Sequence, residues 1–140
     1  KAPLCGITLR GLDRLQVKIK QLVADGFFKQ VEPKTYKLTS ESITDYEELT
    51  TTHIVYQWVK LVSVTGTDRL ADRSDHVDPS DIGPPLYFVS HAWQGRWSKL
   101  VTTVRRYLRD AADDTCVWIG TYVRVDVHVD MFVGVYAQSA

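Results

Sequence analysis

The sequence has few cysteines, and they follow no pattern. Its 140 residues include two, Cys5 and Cys116, which lie far apart and lack the spacing of a metal site. A small secreted domain held together by disulfides is therefore excluded, and a reducing, intracellular compartment is favoured. Cys116 stands in an apolar run, where a thiol is most often a small buried side chain.

Long hydrophobic runs, an excess of charge and glycine-rich loops are also missing. The longest apolar stretch is far shorter than the roughly 18 residues of a membrane span, and the beginning has no signal-peptide core. Basic and acidic residues number 17 each, so the whole chain has no charge that favours nucleic acid or membranes. No glycine cluster precedes a Lys-Ser or Lys-Thr pair, which excludes a phosphate-binding P-loop. These absences predict a cytoplasmic protein without a membrane partner.

Positive charge is concentrated near the beginning of the chain. Residues 1–40 hold eight lysines or arginines against three acids, and the remainder holds nine against fourteen. Apolar residues recur at helical spacing from Leu12 to Val23, and Asp25-Gly26 has the composition of a helix end. Two β-prone runs around Pro33 follow this amphipathic helix and predict a hairpin.

A basic helix followed by a hairpin also resembles the recognition helix and wing of winged-helix domains, which contact phosphates in DNA. The contacts of such a nucleic-acid-binding protein would be Lys18, Lys20, Lys29, Lys34 and Lys37. Two helices normally precede the recognition helix, and in this sequence 11 residues precede Leu12. An amphipathic helix packed on its hairpin is therefore the favoured interpretation, and nucleic-acid binding through residues 1–40 is the alternative.

A second helix and an acidic loop come next. Thr44 and Glu47 have the spacing of a capping box, and Thr52 is an alternative start for the same helix. Apolar residues from Ile54 to Val62 supply its buried face. Residues 65–85 are rich in Asp, Gly, Pro and Ser and have no apolar periodicity, so we expect an acidic loop or linker.

The last part of the chain has the order strand, helix, strand. Leu86 to Ser90 and Cys116 to Gly120 are short and apolar, as buried parallel strands are, and a helical pattern joins them from about Ser98 to Ala112. The strict alternation from Val123 to Val129 predicts one further strand with a wet face.

Three polar side chains would share the wet face of that last strand. Asp126, His128 and Asp130 alternate along it, so that neighbours are roughly 6.5 to 7 Å apart. That spacing is too wide for all three to ligate one ion, because metal–ligand bonds are near 2 Å. We predict a solvated face and no metal site.

Three motifs in this last part resemble a known family. YFVSHAW (87–93), WSKLV (97–101) and CVWI (116–119) look like the opening of TIR-like (Toll/interleukin-1 receptor-like) domains of the Ser-His-x-Trp type. The resemblance covers roughly residues 49–119. It implies a partial flavodoxin-like parallel sheet that serves either as a self-associating signalling module or as a hydrolase that cleaves NAD. The family's catalytic Glu lies on a later helix, and no segment of this sequence matches it.

Three neighbouring residues, Ser90, His91 and Trp93, are the candidate site. In a parallel β-α-β unit they would lie at the carboxyl edge of the sheet, where α/β proteins bind ligands. Ser90 can donate a hydrogen bond, His91 can change charge near neutral pH, and Trp93 offers an apolar plate with one N–H. We expect them either to line a nucleotide pocket or to serve as local architecture. A Ser-His nucleophile is disfavoured because adjacent strand residues point to opposite faces.

Together these patterns predict an α/β protein with three segments. A helix-hairpin-helix segment spans 1–64, an acidic loop or linker spans 65–85, and a TIR-like α/β portion spans 86–140. We expect an intracellular TIR-like signalling module that associates with a protein partner or with itself. NAD cleavage, with NAD as substrate, and winged-helix nucleic-acid binding are the alternatives. Since the chain begins with Lys1 rather than Met, we also expect it to be a piece of a longer protein.

Overall fold

The fold is known from a computed structural model. It describes residues 5–62, 74–92, 94–124, 127–130 and 134–137, and it describes side chains in these ranges up to residue 120.

A six-stranded sheet organises the fold around its longest strand, β6 (Cys116–Arg124). β5 (Tyr87–Ala92) runs parallel to β6, from Tyr87 opposite Val117 to Ala92 opposite Tyr122. On its other side β6 pairs antiparallel with two strands in turn, β1 (Gly6–Thr8) and β7 (Val127–Asp130). β4 (Ile82–Gly83) extends the sheet beyond β1, and β8 (Gly134–Ala137) extends it beyond β7.

The parallel pair predicted from the sequence is confirmed. Helix α4 (Trp97–Tyr107) joins β5 to β6, as a connection between parallel neighbours must. The prediction of a parallel sheet is wrong for the rest of the described strands, whose pairings are all antiparallel. The sheet is therefore mixed, and the chain is of the α/β type only in this broad sense.

The prediction of a single strand over residues 123–129 is also wrong. β6 ends at Arg124, and β7 begins at Val127 and pairs back along it, with Gly120 opposite Asp130. Alternation of apolar and polar residues is the same in one long strand and in two hairpin strands, so the pattern does not reveal the reversal. Asp126 lies outside the described residues.

Helix α1 (Leu9–Ala24) confirms the predicted amphipathic helix. The Thr8 hydroxyl accepts a hydrogen bond from the Gly11 N–H and caps its beginning. The helix ends at Ala24 with Asp25 as its C-cap, and Gly26 has the left-handed φ of 74° that the Asp-Gly pair predicts. Its buried face meets the core with six residues: Leu9, Gly11, Leu12, Leu15, Ile19 and Val23.

The predicted hairpin is present as a separate two-stranded sheet of β2 (Lys29–Val31) and β3 (Leu38–Ser42). Asp45 then caps a short 3-10 turn, Tyr46–Glu48. The predicted capping box at Thr44 and Glu47 is wrong, because the extended, buried Leu49 separates this turn from the following helix.

That helix is a continuous helical segment over residues 51–62, here called the 51–62 helix. It consists of α2 (Thr51–Ile54), a π-helical turn (Val55–Val59) and α3 (Lys60–Val62). Thr50 is its N-cap, and its start at Thr51 lies one residue from the alternative predicted at Thr52. None of the helices in the described part of the chain is long and apolar enough to cross a membrane.

One hydrophobic cluster packs α1, the 51–62 helix and α4 against the sheet. Its largest fully buried side chains include Trp97 and Phe28, and Val117 and Ile119 contribute the core face of β6. Val77, in the described part of the acidic loop, belongs to the same cluster. The first and last thirds of the chain therefore share one core.

Candidate functional site

The predicted site residues at the end of β5 lie on opposite faces of the sheet. Ser90 pairs with Gly120 and is exposed, whereas the next residue, His91, pairs with Thr121 and is half-buried on the face that carries α4. Trp93 lies outside the described residues. The structure therefore does not bring the Ser90 and His91 side chains together.

His91 packs closely on the loop that precedes α4. A Cβ atom on Gly95 would lie 2.5 Å from its Nε2 atom and 2.9 Å from the Ala92 carbonyl oxygen, so glycine at this position leaves room for the ring where it lies. Burial lowers the pKa of His91; the Gly95 backbone opposes this change and Lys99 adds to it. Nε2 is buried and has no hydrogen-bond partner within the described part of the chain. His91 is therefore a neutral ring packed between β5 and this loop, which is more typical of a structural side chain than of a residue that binds a ligand.

The five lysines of the nucleic-acid alternative occupy different surroundings. The Lys18 ammonium lies 2.8 Å from Nδ1 of His76, and that of Lys20 lies 5.0 Å from the centre of the Tyr46 ring. Lys29 donates to the Gly26 carbonyl and the Ser42 hydroxyl. The remaining two, Lys34 and Lys37, are exposed on the turn of the hairpin. Three of the five thus make contacts within the chain.

A groove lies between the hairpin and the 51–62 helix. Its volume is about 1020 Å³, at the upper end of small-molecule pockets. Twelve residues line this groove, here called the hairpin groove: Phe27, Lys29, Val31, Tyr36, Leu38, Thr52, His53, Tyr56, Gln57, Lys60, Leu61 and Gln94. Of these, only Lys29 is among the candidate site residues predicted from the sequence.

The π-helical turn contributes Tyr56 and Gln57 to the lining of the hairpin groove. The Gln57 amide accepts a hydrogen bond from the Lys29 N–H at 2.8 Å and donates one to the Lys29 carbonyl at 2.9 Å. This pair of bonds joins the helix to β2 as a neighbouring strand would. Next to it, the Lys60 ammonium lies 4.2 Å from the centre of the Tyr56 ring. π-helical turns occur often at functional sites.

His53 enters the hairpin groove from the first turn of the same helix. The Thr50 N–H donates to Nδ1 of His53 at 3.0 Å, while the Thr50 hydroxyl receives the His53 N–H, which completes a capping box. An Nδ1 atom that accepts a hydrogen bond carries no proton, so the ring is the neutral Nε2–H tautomer. Burial lowers the pKa of His53 and favours the same neutral form.

Acid is expected to weaken the fold through this capping box. The folded-state pKa of His53 is lowered, so the unfolded chain binds the extra proton first as the pH falls through about 6.5. The free energy of unfolding therefore decreases from about pH 6.5 down to the folded-state pKa and then levels off. Glutamine at this position of a capping box keeps the cap and does not titrate.

Urea unfolding of the wild type and of His53→Gln at about pH 7.5 and about pH 5.5 measures this contribution. His91 shifts in the same direction in both proteins, so the comparison isolates His53. We expect the variant to lose less stability on acidification, and equal losses in the two proteins would contradict the assignment.

No cluster of three or more histidine, cysteine or carboxylate side chains in the described ranges could hold a metal ion. The groove lining, as far as the structure describes it, contains two lysines and no carboxylate, so it is suited to anions rather than cations. Comparisons with protein-family models, with curated proteins and with solved structures find no match to this chain.

Proposed function

We propose that this chain is a cytoplasmic interaction module of the TIR-like type, which associates with a second copy of itself through the edge strand β5. The proposal includes a flavodoxin-like character for the β5-α4-β6 unit. Its main support is that, among the described strands, β5 is an edge strand without the usual protection against pairing. A signalling module that works by association needs such a self-complementary surface.

The edge is open because, among the described strands, β5 has β6 as its single neighbour. Natural edge strands are usually guarded by charged residues, bulges or short length. Residues 86–92 include no lysine, arginine, aspartate or glutamate, and β5 pairs with β6 over six residues without a break in register. Its unpaired N–H and C=O groups are therefore available to another strand.

The side chains at the beginning of this edge, residues 86–88, are apolar and exposed on both faces. Leu86 and Phe88 are 70% and 62% exposed, and Tyr87, which points to the opposite face from Phe88, is also exposed. Phe88 rests with one side on Trp118, their ring centres 5.9 Å apart, and leaves its remaining surface uncovered. A second copy of β5 paired antiparallel about a two-fold axis would cover these side chains symmetrically.

Replacing Phe88 with lysine is expected to prevent this association, because the new charge would have to be buried against its own copy in the dimer. The Phe88 side chain is largely exposed, so the single chain should still fold. Val17→Lys is the matched control, since it makes the same change at an equally exposed apolar position on α1.

Light scattering or sedimentation over a range of protein concentrations measures the result. We expect the wild type and Val17→Lys to form a dimer as concentration rises, and Phe88→Lys to dimerise at least about tenfold more weakly. A wild-type chain that stays monomeric throughout would refute the proposal. Equal weakening by both substitutions would show that β5 is not the interface.

A further inference from the structure

We propose that the hairpin groove is a binding site for a small aromatic anion, held by aromatic contact with Tyr36 and Tyr56 and by the charge of Lys60. This site is independent of the proposed association through β5, because it is formed by other elements. The inference rests on three properties of the groove: its charge, its aromatic surface and the backbone of one of its tyrosines.

Among the described residues, the charge of the groove lining has one sign. Lys29 and Lys60 are the ionised groups of the twelve described lining residues, which include no aspartate or glutamate. His53 adds no charge near neutral pH, because its capping box and its burial hold the ring neutral. Its Nε2–H is a donor, so it too favours an electron-rich partner. An anion is therefore the complementary ligand.

The apolar part of the lining is rich in aromatic rings. Phe27, Tyr36 and Tyr56 contribute rings, and Val31, Leu38 and Leu61 contribute aliphatic surface. Tyr36 is 70% exposed, and Leu38, Tyr56 and Leu61 are at least half exposed. An aromatic ligand would cover this surface with ring-to-ring contacts, which an aliphatic acid of equal charge does not make.

The backbone conformation of Tyr36 also supports a role in ligand binding. Its φ of 56° lies in the left-handed region, which disfavours a bulky residue and which glycine or asparagine would occupy at lower cost. Since its side chain is largely exposed, packing within the chain does not explain a tyrosine here. Strained positions of this kind cluster at ligand-binding sites. A role for the ring in holding a ligand accounts for the residue.

The polar contacts of the groove are ordered before any ligand binds. Gln57 is held by its two bonds to the Lys29 backbone, and Lys29 itself is held by Gly26 and Ser42, which leaves one of its three ammonium protons for a ligand. Lys60 lies over the Tyr56 ring, so its charge and the aromatic surface are adjacent. Such preorganisation reduces the entropy lost on binding.

Naphthoate and its neutral analogue naphthylmethanol are suitable probes, since they share the ring system and differ in charge. We expect two-dimensional amide NMR spectra of the isotope-labelled chain to shift saturably with naphthoate, at a dissociation constant on the order of 1 mM or tighter. The shifts should cluster at groove residues. Naphthylmethanol should bind more weakly, by about threefold, because it does not use the lysine charge.

Two variants and one control separate the contributions. Lys60→Gln should weaken naphthoate binding about threefold and leave naphthylmethanol binding unchanged. Tyr36→Gly, which relieves the backbone and removes the ring, should weaken both probes. Lys34→Gln removes an exposed lysine of the same hairpin that does not line the groove, and it should change neither.

Several outcomes would overturn the inference. One is that the amide shifts caused by naphthoate do not saturate or are scattered over the surface. The others are equal affinity for naphthoate and naphthylmethanol, and equal effects of the Lys60 and Lys34 substitutions on naphthoate binding. Groove amides that shift with protein concentration in the absence of a probe would show instead that a second copy occupies the groove. Phe88→Lys should bind naphthoate like the wild type, so failure of the β5 interface is distinguishable from failure of this site.

Discussion

Asp81→Ala is expected to lower the free energy of unfolding by about 2 to 3 kcal/mol. The Asp81 side chain is 2% exposed, and its carboxylate accepts hydrogen bonds from Thr8 and Arg10 at 3.2 Å and from Arg14 at 2.9 Å. Alanine leaves the buried Thr8 hydroxyl without this acceptor and removes both ion pairs. The arginines are 39% and 56% exposed and can turn to water, which keeps the loss below that of a fully buried pair.

Urea unfolding at neutral pH measures this loss, and Asp78→Ala is the matched control. Asp78 belongs to the same turn and also faces Arg14, at 3.8 Å, but it is more than half exposed. Its removal should lower the free energy of unfolding clearly less than the loss of Asp81 does, mainly through the lost cap of the 3-10 turn. If Asp81→Ala lowers the free energy of unfolding no more than Asp78→Ala does, the buried carboxylate does not stabilise the packing of the loop on α1.

Elements with a strong apolar period were predictable from the sequence. Helix α1 was marked by its helical spacing, the β2-β3 hairpin by two β-prone runs around Pro33, and the parallel pair of β5 and β6 by two short apolar runs joined by a helical pattern. Turn residues added their positions, as Asp25-Gly26 did at the end of α1. For β5 and β6 the sequence also predicted the direction of pairing. Neighbouring strands that are joined by a helix run parallel, whereas an antiparallel pair can be joined by a short turn.

The very short strands were not predictable, because two or three residues carry no period. β1 has three residues and β4 has two, and they join the sheet through long-range pairing such as Ile7 with Val117 and with Ile82. The hairpin between β6 and β7 was not predicted for a different reason. Both of its strands continue the same alternation of apolar and polar residues, so the sequence pattern does not show the reversal.

The candidate sites depend on contacts between distant parts of the chain. Asp81 lies in an acidic stretch with no apolar pattern, so the sequence does not single it out. The pattern that could have indicated its contact is the pair Arg10 and Arg14, which are four residues apart on one face of α1 and both bind Asp81. The hairpin groove combines side chains of the hairpin with the solvent-facing side of the 51–62 helix. Tyr56 and Lys60 are also four residues apart, but an exposed pair at this spacing is common on helices and indicates no partner.

Gly11→Ala is expected to lower the free energy of unfolding by about 2 kcal/mol, although alanine is the stronger helix former. In a solvent-facing turn of α1 this change would stabilise the helix by up to about 1 kcal/mol. Here a Cβ atom would lie 2.7 Å from Cβ of Asp81 and 2.9 Å from Cγ1 of Ile7. Asp81 cannot yield cheaply, because its Cβ is fixed by the backbone and its carboxylate by Thr8, Arg10 and Arg14.

Chemical denaturation of Gly11→Ala is compared with that of Val17→Ala, which lies on the exposed face of the same helix. The comparison tests whether the close contact with Asp81 or the helix propensity of alanine has the larger effect on the free energy of unfolding. Val17→Ala should leave stability unchanged or raise it slightly, since valine is the weaker helix former and its side chain is 69% exposed. The close approach also predicts coupling: Asp81→Gly removes the opposing Cβ, so Gly11→Ala should cost less in that background than in the wild type. A Gly11→Ala protein as stable as the wild type would mean that the 74–85 segment is not held against α1 at this distance.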